Sequence, residues 1–460
     1  MPFHATLAQL VKVLGASTHN LSENDRAKLA TNLTTDSRHI KPGEVFLALR
    51  GEKFDGHEFV NSALEKGAIA AIVDSKFPLQ DSKLLVVADT LQSYQAIAQW
   101  WRTQFTIPVI AITGSVGKTT TKELIAAALS QYGSVLKTQA NYNNEIGVPK
   151  TLLELDEHHD YAVIEMGMRA RGEIALLSKI THPDIAVITN VGTAHIGRLG
   201  SEVAIAEAKC ELLAEMPINA VAILNHDNPL LLETAKTVWQ GRTLTYGLEN
   251  GDLHGQMIDL KTLTVQGQSF TLPLAGQHNA LNFLAALAVA KTLNLNWSPL
   301  ATGLEVTLPG GRARKFELPN DLVILDETYN AGLESMLAAL KLLTQTPGKR
   351  HIAILGTMKE LGDRSLEFHQ QVGAMANQLH LDGLLILADE AEASALAIGA
   401  SPLVAERFST HAAVLDRLQT LVQPGDRLLF KASRAVGLDQ VVEKLRSRLT
   451  ENLQPVTTEL

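Results

Sequence analysis

The sequence is poor in cysteine: its 460 residues include only one, Cys210. A single cysteine cannot form a disulfide within the chain, and this usage fits a reducing, intracellular compartment. The first residues, MPFHATLAQLVKVLG, lack the basic start, the apolar core and the small-residue cleavage site of a signal peptide. We therefore expect a cytoplasmic protein that is not exported by that route.

Long apolar runs and an excess of positive charge are also missing. No stretch approaches the roughly 18 uninterrupted apolar residues of a membrane-spanning helix, so we expect no membrane span. The formal net charge is −9, whereas a surface that binds a nucleic-acid backbone must be cationic. We therefore expect no nucleic-acid partner, and any phosphate ligand must be held by a local site.

The composition is that of a folded chain with several domains. Hydrophobic residues make up 46% and charged residues 19%, which leaves no room for a long disordered tail. Short apolar strands alternate with helical patterns, which is typical of an α/β fold with mostly parallel sheets. The Pro/Gly-rich segment TLPGGRARKF separates two such series of strands. We predict a small domain at 1–85, a central domain at 86–311 and a third domain at 312–460.

A glycine-rich loop follows the apolar strand VIAIT and opens a helix, which is the context that a phosphate-binding loop requires. Its backbone N–H groups would converge on an anion, Lys118 would neutralise phosphate charge, and the Thr119 hydroxyl would be offered to Mg²⁺. The usual spacing puts another glycine at position 112, where this chain has Ile112. An ordinary connection between a strand and a helix therefore remains an alternative. The loop residues are Gly114, Ser115, Val116, Gly117, Lys118, Thr119 and Thr120.

Two further candidates stand just after apolar strands. Glu165 lies near the end of YAVIEM, and His195 follows IAVITN. If both strands lie beside the loop strand, both side chains face the same crevice at the strands' carboxyl ends. Glu165 suits Mg²⁺, although a carboxylate that caps a helix or pairs with a cation is the alternative. On this evidence alone His195 is more readily structural and Lys209 is a solvated lysine on a helix.

The blocks TGSVGKTT, NYNNEIGVP, YAVIEMG, NVGTAHIGRLGS, IAEAKCELL, GQHNALN, DETYNAG and KASRAVGLD resemble, in this order, the ATP-dependent Mur ligases. The resemblance begins at residues 35–59 and covers nearly the whole chain. It implies three domains: an N-terminal one for the UDP end of a nucleotide-sugar, a central ATPase domain and a C-terminal Rossmann-like domain that closes over the site. It also implies ATP and Mg²⁺ as cofactors and a role in peptidoglycan precursor synthesis.

The resemblance assigns roles residue by residue. Glu165, His195 and Lys209, the last as a carbamate, would bind Mg²⁺ with Thr119, and Arg312 would reach the γ phosphate. The expected catalytic residues are Lys118, Lys209, Arg312 and His195. Nucleotide contacts are implied for Asn279, Asn282, Asp326, Tyr329 and Asn330, with His278 nearby. Substrate contacts are implied for Ser37, Arg38, Asn141, Asn143, Asn144, Lys431, Ser433 and Arg434. Without the resemblance, the three asparagines at 141–144 would be interpreted as a turn.

Three positions differ from the residues usual in the family: Glu327, Thr357 and Ala432. Thr357 removes a charge, so we assign it no role. NYNNEIGVP and DETYNAG favour a ligase that joins D-Ala-D-Ala to UDP-MurNAc-tripeptide through an acyl phosphate. The alternatives are the ligase that adds the third residue, folylpolyglutamate synthase and an NTP-gated switch protein. We expect a monomer.

Overall fold

A computed structural model of the chain describes residues 3–51, 54–78 and 81–451. Residues 1, 2, 52, 53, 79 and 80 of the predicted first domain, and 452–460 of the predicted third, lie outside the described residues. The described residues form an α/β fold with three large sheets of five, nine and six strands. Each sheet occupies its own stretch of the chain, which confirms the predicted α/β architecture with three domains.

The N-terminal domain is built on the five-stranded sheet. Its elements are β1 (Ala5–Thr6), α1 (Leu7–Leu14), β2 (Ser17–Thr18), α2 (Glu23–Arg26), β3 (Leu29–Ala30), β4 (Leu33–Thr34), β5 (Val45–Leu47), a 3-10 helix (Gly56–Phe59), α3 (Val60–Glu65), β6 (Ala70–Asp74), β7 (Leu84–Val87) and α4 (Thr90–Arg102). The sheet order is β2-β7-β6-β5-β4, and β1 pairs separately with β3. Since β7 ends at Val87, this sheet runs past residue 85. The boundaries after 85 and 311 stay predictions.

The central domain contains the nine-stranded sheet. Its elements are β8 (Val109–Thr113), α5 (Lys118–Leu129), β9 (Val135–Lys137), α6 (Gly147–Leu152), β10 (Tyr161–Glu165), α7 (Glu173–Thr181), β11 (Ile185–Ile188), α8 (Ile196–Leu199), α9 (Glu202–Ala214), β12 (Val221–Asn225), α10 (Pro229–Val238), β13 (Arg242–Gly247), β14 (Leu253–Met257), β15 (Thr262–Val265), β16 (Gln268–Thr271), α11 (Gln277–Thr292) and α12 (Ser298–Ala301). The order is β16-β15-β14-β13-β12-β11-β8-β10-β9, parallel from β9 to β14 and antiparallel beyond.

The C-terminal domain contains the six-stranded sheet. Its elements are β17 (Arg314–Leu318), β18 (Leu322–Glu327), α13 (Leu333–Gln345), β19 (Arg350–Gly356), a 3-10 helix (Gly362–Arg364), α14 (Ser365–Gln378), β20 (Gly383–Leu387), α15 (Glu390–Ala400), β21 (Ala405–Phe408), α16 (His411–Leu421), β22 (Asp426–Lys431), a 3-10 helix (Arg434–Val436) and α17 (Asp439–Glu451). The order is β17-β18-β22-β19-β20-β21, and only β17 runs antiparallel to its neighbour.

The continuous apolar strands reflect sheets that are covered on both faces. In β8, Val109 and Ala111 pack into one core while Ile110 and Ile112 pack into another. Alternate side chains of a strand point to opposite faces, so a strand buried on both sides needs apolar residues at every position. Within the described residues, none of the helices combines the length and apolar character that crossing a bilayer requires.

The order of the central strands decides where the site lies. β8, which leads into the glycine-rich loop, is flanked by β10 and β11. Glu165 is paired with Ile112, and Ile188 is paired with Thr113, so all three strands end at one edge of the sheet. The prediction that the strands before Glu165 and His195 lie beside the loop strand is confirmed.

Candidate active site

A cavity of about 840 Å³ lies at this edge of the central sheet, and residues of the C-terminal domain form its opposite wall. Most of the predicted site residues line it. They are Ser115, Val116, Gly117, Lys118, Thr119, Thr120, Asn141, Asn143, Asn144, Glu165, His195, His278, Asn279, Asn282, Arg312, Tyr329, Asn330, Lys431, Ser433 and Arg434. Residues from stretches more than 300 positions apart therefore meet in one crevice.

Five predicted residues lie elsewhere. Gly114 packs beneath the loop, where an added Cβ would collide with the Thr189 hydroxyl. Lys209 is buried in α9. Asp326 lines a neighbouring cavity of about 310 Å³, and Ser37 and Arg38 belong to the N-terminal domain. The Arg38 guanidinium is 81% exposed and lies 2.7 Å from the Asp36 carboxylate.

The start of α5 leaves backbone donors available for an anion. Gly117 has a φ of +83°, and no side chain of the described chain caps the helix. The first bond within the helix runs from the N–H of Thr121 to the carbonyl of Gly117. The N–H groups at the start of the helix therefore have no partner within it. A Cβ at Gly117 would lie 2.6 Å from Oδ1 of Asn282, so only glycine fits this turn.

Lys118 lies folded over the loop that precedes it. Its Nζ donates to the carbonyl of Gly114 at 2.7 Å. Burial lowers the pKa of Lys118; the nearby Glu165 opposes this shift and Arg312 adds to it. The Lys118 ammonium thus lies near a second cation, Arg312. An anionic ligand between them would reduce their repulsion.

Asn190 holds the loop from the neighbouring strand, a role that the sequence did not reveal. Its Oδ1 accepts from the N–H of Val116, and its Nδ2 donates to the carbonyl of Val116, each at 3.0 Å. The Thr189 hydroxyl donates to the same carbonyl at 2.7 Å. Both residues come directly after the apolar run of β11. That position was the only feature of the sequence that could have indicated their contact with the loop.

Glu165 carries a buried oxygen suited to a cation. Its Oε1 accepts from Nδ2 of Asn143 at 2.8 Å, while Oε2 is buried without a hydrogen-bond partner among the described residues. An unpaired buried carboxylate oxygen is costly, and a hard cation such as Mg²⁺ is a fitting partner for it. The described residues contain no group of three or more His, Cys, Asp or Glu that could hold a metal ion by itself. A metal here needs other ligands as well.

His195 is held by the C-terminal domain. Its Nδ1 lies 2.7 Å from Oε2 of Glu360, and its backbone has a φ of +66°. Burial and, to a lesser degree, Lys118 lower the pKa of His195, which favours the neutral imidazole that can bind a metal. Sequence reasoning missed Glu360 because its partner lies 165 residues away.

Lys209 is buried rather than solvated, so the interpretation from local sequence is wrong. Its side chain is 1% exposed, because the pattern of α9 is apolar on nearly all sides. Burial, followed by the nearby Lys118, lowers the pKa of Lys209 well below its usual range. An amine that is readily neutral is the form that can react with CO₂.

The C-terminal wall is also cationic. The Arg312 guanidinium stacks on the Tyr329 ring, 3.8 Å from its centre. Nζ of Lys431 donates to the carbonyl of Asn330 at 3.0 Å and lies 3.6 Å from Oε2 of Glu327. Burial lowers the pKa of Lys431, and Glu327 opposes the shift. Glu327, one of the family departures, thus faces the cavity.

Several predicted polar residues also have structural partners. Oδ1 of Asn144 accepts from the N–H of Gly147 at the start of α6, as the turn interpretation expected. Oδ1 of Asn282 accepts from the Thr121 hydroxyl and so links α11 to α5. The Thr357 hydroxyl accepts from the N–H of Asp389. Contact with a ligand stays a prediction for the two asparagines.

Comparison with known families accounts for this geometry. The family models "Mur ligase family, catalytic domain", "Mur ligase middle domain" and "Mur ligase, glutamate ligase domain" match residues 30–100, 112–290 and 311–434. A Synechocystis protein named UDP-N-acetylmuramoyl-tripeptide–D-alanyl-D-alanine ligase is 58% identical over 438 residues, which are 95% of each chain. The chain belongs to the Mur ligase family.

Solved Mur ligase structures share the whole architecture. MurF from Acinetobacter baumannii is 34% identical, covers 97% of this Mur ligase and 99% of its own chain, and superimposes with a TM-score of 0.87. The MurF ligase of Thermotoga maritima, solved in complex with ADP, is 33% identical with a TM-score of 0.83, covering 92% of this chain and 99% of its own. The fold class implied by the sequence is therefore confirmed.

A buried histidine supports the loop of this Mur ligase that carries Glu360. Nε2 of His369 accepts from the N–H of Met358 at 2.9 Å, and its Nδ1 donates to the carbonyl of Ser365 at 2.7 Å. Because Nε2 accepts a hydrogen bond, the ring must be neutral, with its proton on Nδ1. Burial lowers the pKa of His369 below its ordinary value.

We predict that this histidine makes the C-terminal domain less stable in acid. Below about pH 6.5 the unfolded chain binds a proton that the folded site resists, so stability falls as pH falls, by at most about 1.4 kcal/mol per pH unit. Urea unfolding at about pH 7.5 and about pH 5.5 should show a smaller loss for His369→Gln than for the wild type. The exposed His380→Asn should keep the wild-type loss. Equal losses in wild type and His369→Gln would contradict the prediction.

Proposed function

We propose that this Mur ligase joins D-Ala-D-Ala to UDP-MurNAc-tripeptide at the expense of ATP, in peptidoglycan precursor synthesis. The observation that carries the proposal is the meeting of the glycine-rich loop, Glu165 and Arg312 around one cavity. The identity of 58% to a ligase of that name supports the choice of substrates. The proposed reaction takes place in the cytoplasm.

A carboxylate is a poor acyl donor, and ATP activates it by phosphorylation. The terminal carboxylate of the tripeptide attacks the γ phosphorus, which forms an acyl phosphate and releases ADP. The amine of D-Ala-D-Ala then attacks the acyl carbon, the amide bond forms, and phosphate leaves. Lys118 and Arg312 are placed to neutralise the charge that spreads over the transferring phosphoryl group.

Residues at the edge of the central sheet fit a magnesium ion. Thr119, Glu165, His195 and a carbamate on Lys209 would hold it, and the buried Oε2 of Glu165 is the feature that supports this most directly. When bound, Mg²⁺ supplies charge neutralisation to the phosphates. The carbamate would turn a buried cation into an anion, which removes the repulsion between Lys209 and Lys118.

The remaining polar residues are proposed to bind the UDP-MurNAc-tripeptide and the ATP. Ser37 and Arg38 would contact the UDP portion. The asparagines at 141, 143 and 144 and the basic block Lys431, Ser433 and Arg434 would contact the sugar peptide. Asn279, Asn282, Tyr329 and Asn330, which line the cavity, would contact the nucleotide. Asp326 opens into the neighbouring cavity, so its position gives the predicted nucleotide contact little support.

An acceptor panel tests the reaction. We expect phosphate release from ATP with UDP-MurNAc-tripeptide only when D-Ala-D-Ala is added, and no release with single amino acids. Release with a single amino acid alone would favour the ligase that adds the third residue or a folylpolyglutamate synthase. ATP turnover that ignores every acceptor would favour a switch protein.

We predict that Lys118→Ala abolishes ligation and leaves the fold intact. The loss of one cation at the transferring phosphoryl group should lower kcat by about 10²- to 10³-fold. Steady-state phosphate release measures the rate, and circular dichroism checks the fold. Lys236→Ala, an exposed lysine of the same domain, serves as the control and should behave as wild type. Ligation near the wild-type rate in Lys118→Ala would remove the loop from the mechanism.

Lys209→Ala tests the carbamate. We predict that the variant loses activity at least about 100-fold, by analogy with the loss of one charged group at a transition state. A short carboxylate such as formate or acetate should enter the vacated space and restore part of the rate. Lys209→Arg, which keeps the charge and cannot form the carbamate, should be inactive and not rescued. Full activity of Lys209→Ala without rescue would refute the carbamate.

A further inference from the structure

Two carboxylates of the C-terminal domain contact one loop of the central domain, the segment 191–199 that carries His195. Oε1 of Glu334 accepts from the N–H of Thr193 at 2.6 Å, and the Thr193 hydroxyl donates to Oε2 at 3.2 Å. Oε2 of Glu360 lies 2.7 Å from Nδ1 of His195, a close electrostatic contact in which the ring nitrogen is not aligned for a hydrogen bond. The C-terminal domain thus contacts the backbone of this loop at one point and its histidine at another.

The two glycines of the loop allow this close approach. A Cβ added at Gly192 would lie 2.6 Å from the carboxylate of Glu334, and one added at Gly197 would lie 2.5 Å from the backbone nitrogen of Gly362. The N–H of Gly197 also donates to the carbonyl of Glu360 at 3.2 Å. Larger residues at these two positions would therefore collide with the C-terminal domain in this arrangement.

We propose that Glu360 is a positioning residue that orients His195 for metal binding when the C-terminal domain is docked. The negative charge of a carboxylate this close to Nδ1 favours the tautomer that carries its proton there. The other ring nitrogen, Nε2, is then the one with a lone pair, on a side chain that lines the cavity. The C-terminal domain in this way completes a metal site whose ligands all belong to the central domain.

Three features set Glu360 apart from an ordinary surface ion pair. Its partner is a cavity-lining histidine with a left-handed backbone conformation. Its own backbone, also left-handed with a φ of +64°, accepts from the loop that carries this histidine. Its Oε1 lies 3.5 Å from the guanidinium of Arg198, which holds the carboxylate from the other side.

The tautomer of His195 is the first measurement, made by nitrogen-15 NMR of the metal-free enzyme with labelled histidine and assigned with His195→Asn. We expect a proton on Nδ1 in the wild type and in Glu360→Gln, whose amide oxygen can still accept. In Glu360→Ala the proton should move to Nε2. Asp363→Ala, the matched control three residues along the loop, should keep the wild-type signal. A proton on Nε2 in the wild type, or an unchanged tautomer in Glu360→Ala, would overturn the proposal.

Metal affinity is the second measurement. We expect Mn²⁺ binding, followed by electron paramagnetic resonance with a non-hydrolysable ATP analogue, to weaken about 10- to 100-fold in Glu360→Ala. Glu360→Gln should recover part of this loss, and Asp363→Ala should bind as the wild type. An unchanged Kd in Glu360→Ala would overturn the role of Glu360 in metal binding.

This inference rests on the proposed function, because His195 is a metal ligand only there. Neither measurement requires an acceptor or turnover, so the two ideas fail separately. A negative acceptor panel together with a tautomer that depends on Glu360 would refute the proposed reaction and leave the positioning role intact. A positive acceptor panel together with a tautomer that does not depend on Glu360 would support the proposed reaction and refute the positioning role.

Discussion

The parallel pairing of β8 with β10 and β11 is the constraint on which the site depends. Parallel strands end at the same edge of a sheet, so this pairing brings the glycine-rich loop and the residues that follow the two flanking strands together. Glu165 ends β10, and Asn190 and His195 follow β11. The buried apolar faces of these strands stabilise that order, since any other register would expose a core face or bury a polar end.

Three lysines lie in or next to the site. Lys209 and Lys431 are buried and Lys118 is half-buried, and burial lowers the pKa of each. The nearby Arg312 adds to the shifts of Lys118 and Lys431. Two amines near a guanidinium repel one another in the unliganded protein and are favourable around a triphosphate. This local cluster of cations explains how a chain of net charge −9 can bind a polyanion at one place.

Acidic and basic groups of the C-terminal domain face different parts of the central domain. Glu334 and Glu360 bind the loop that carries His195, while Arg312 and Lys431 face the phosphate loop across the cavity. Docking of the C-terminal domain therefore brings cations toward the nucleotide and anions toward the histidine loop. At the histidine loop the arrangement sets carboxylates against N–H groups and the Arg198 guanidinium, which favours the observed orientation of the C-terminal domain.

The sequence by itself determined the elements and most of the site. Apolar runs such as VIAIT, YAVIEM and LVILDE marked strands because burial on both faces leaves no polar positions, and the ordered motifs identified 20 of the residues that line the cavity. It did not reveal the strands β14 to β17, which lack a continuous apolar run because they are not buried at every position, nor the burial of Lys209. Only the tertiary structure paired Glu360 with His195, Glu334 with Thr193 and Asn190 with Val116, and turned Asp326 toward a second cavity. These contacts join positions 74 to 165 residues apart or depend on side-chain direction, and neither local pattern nor spacing encodes such information.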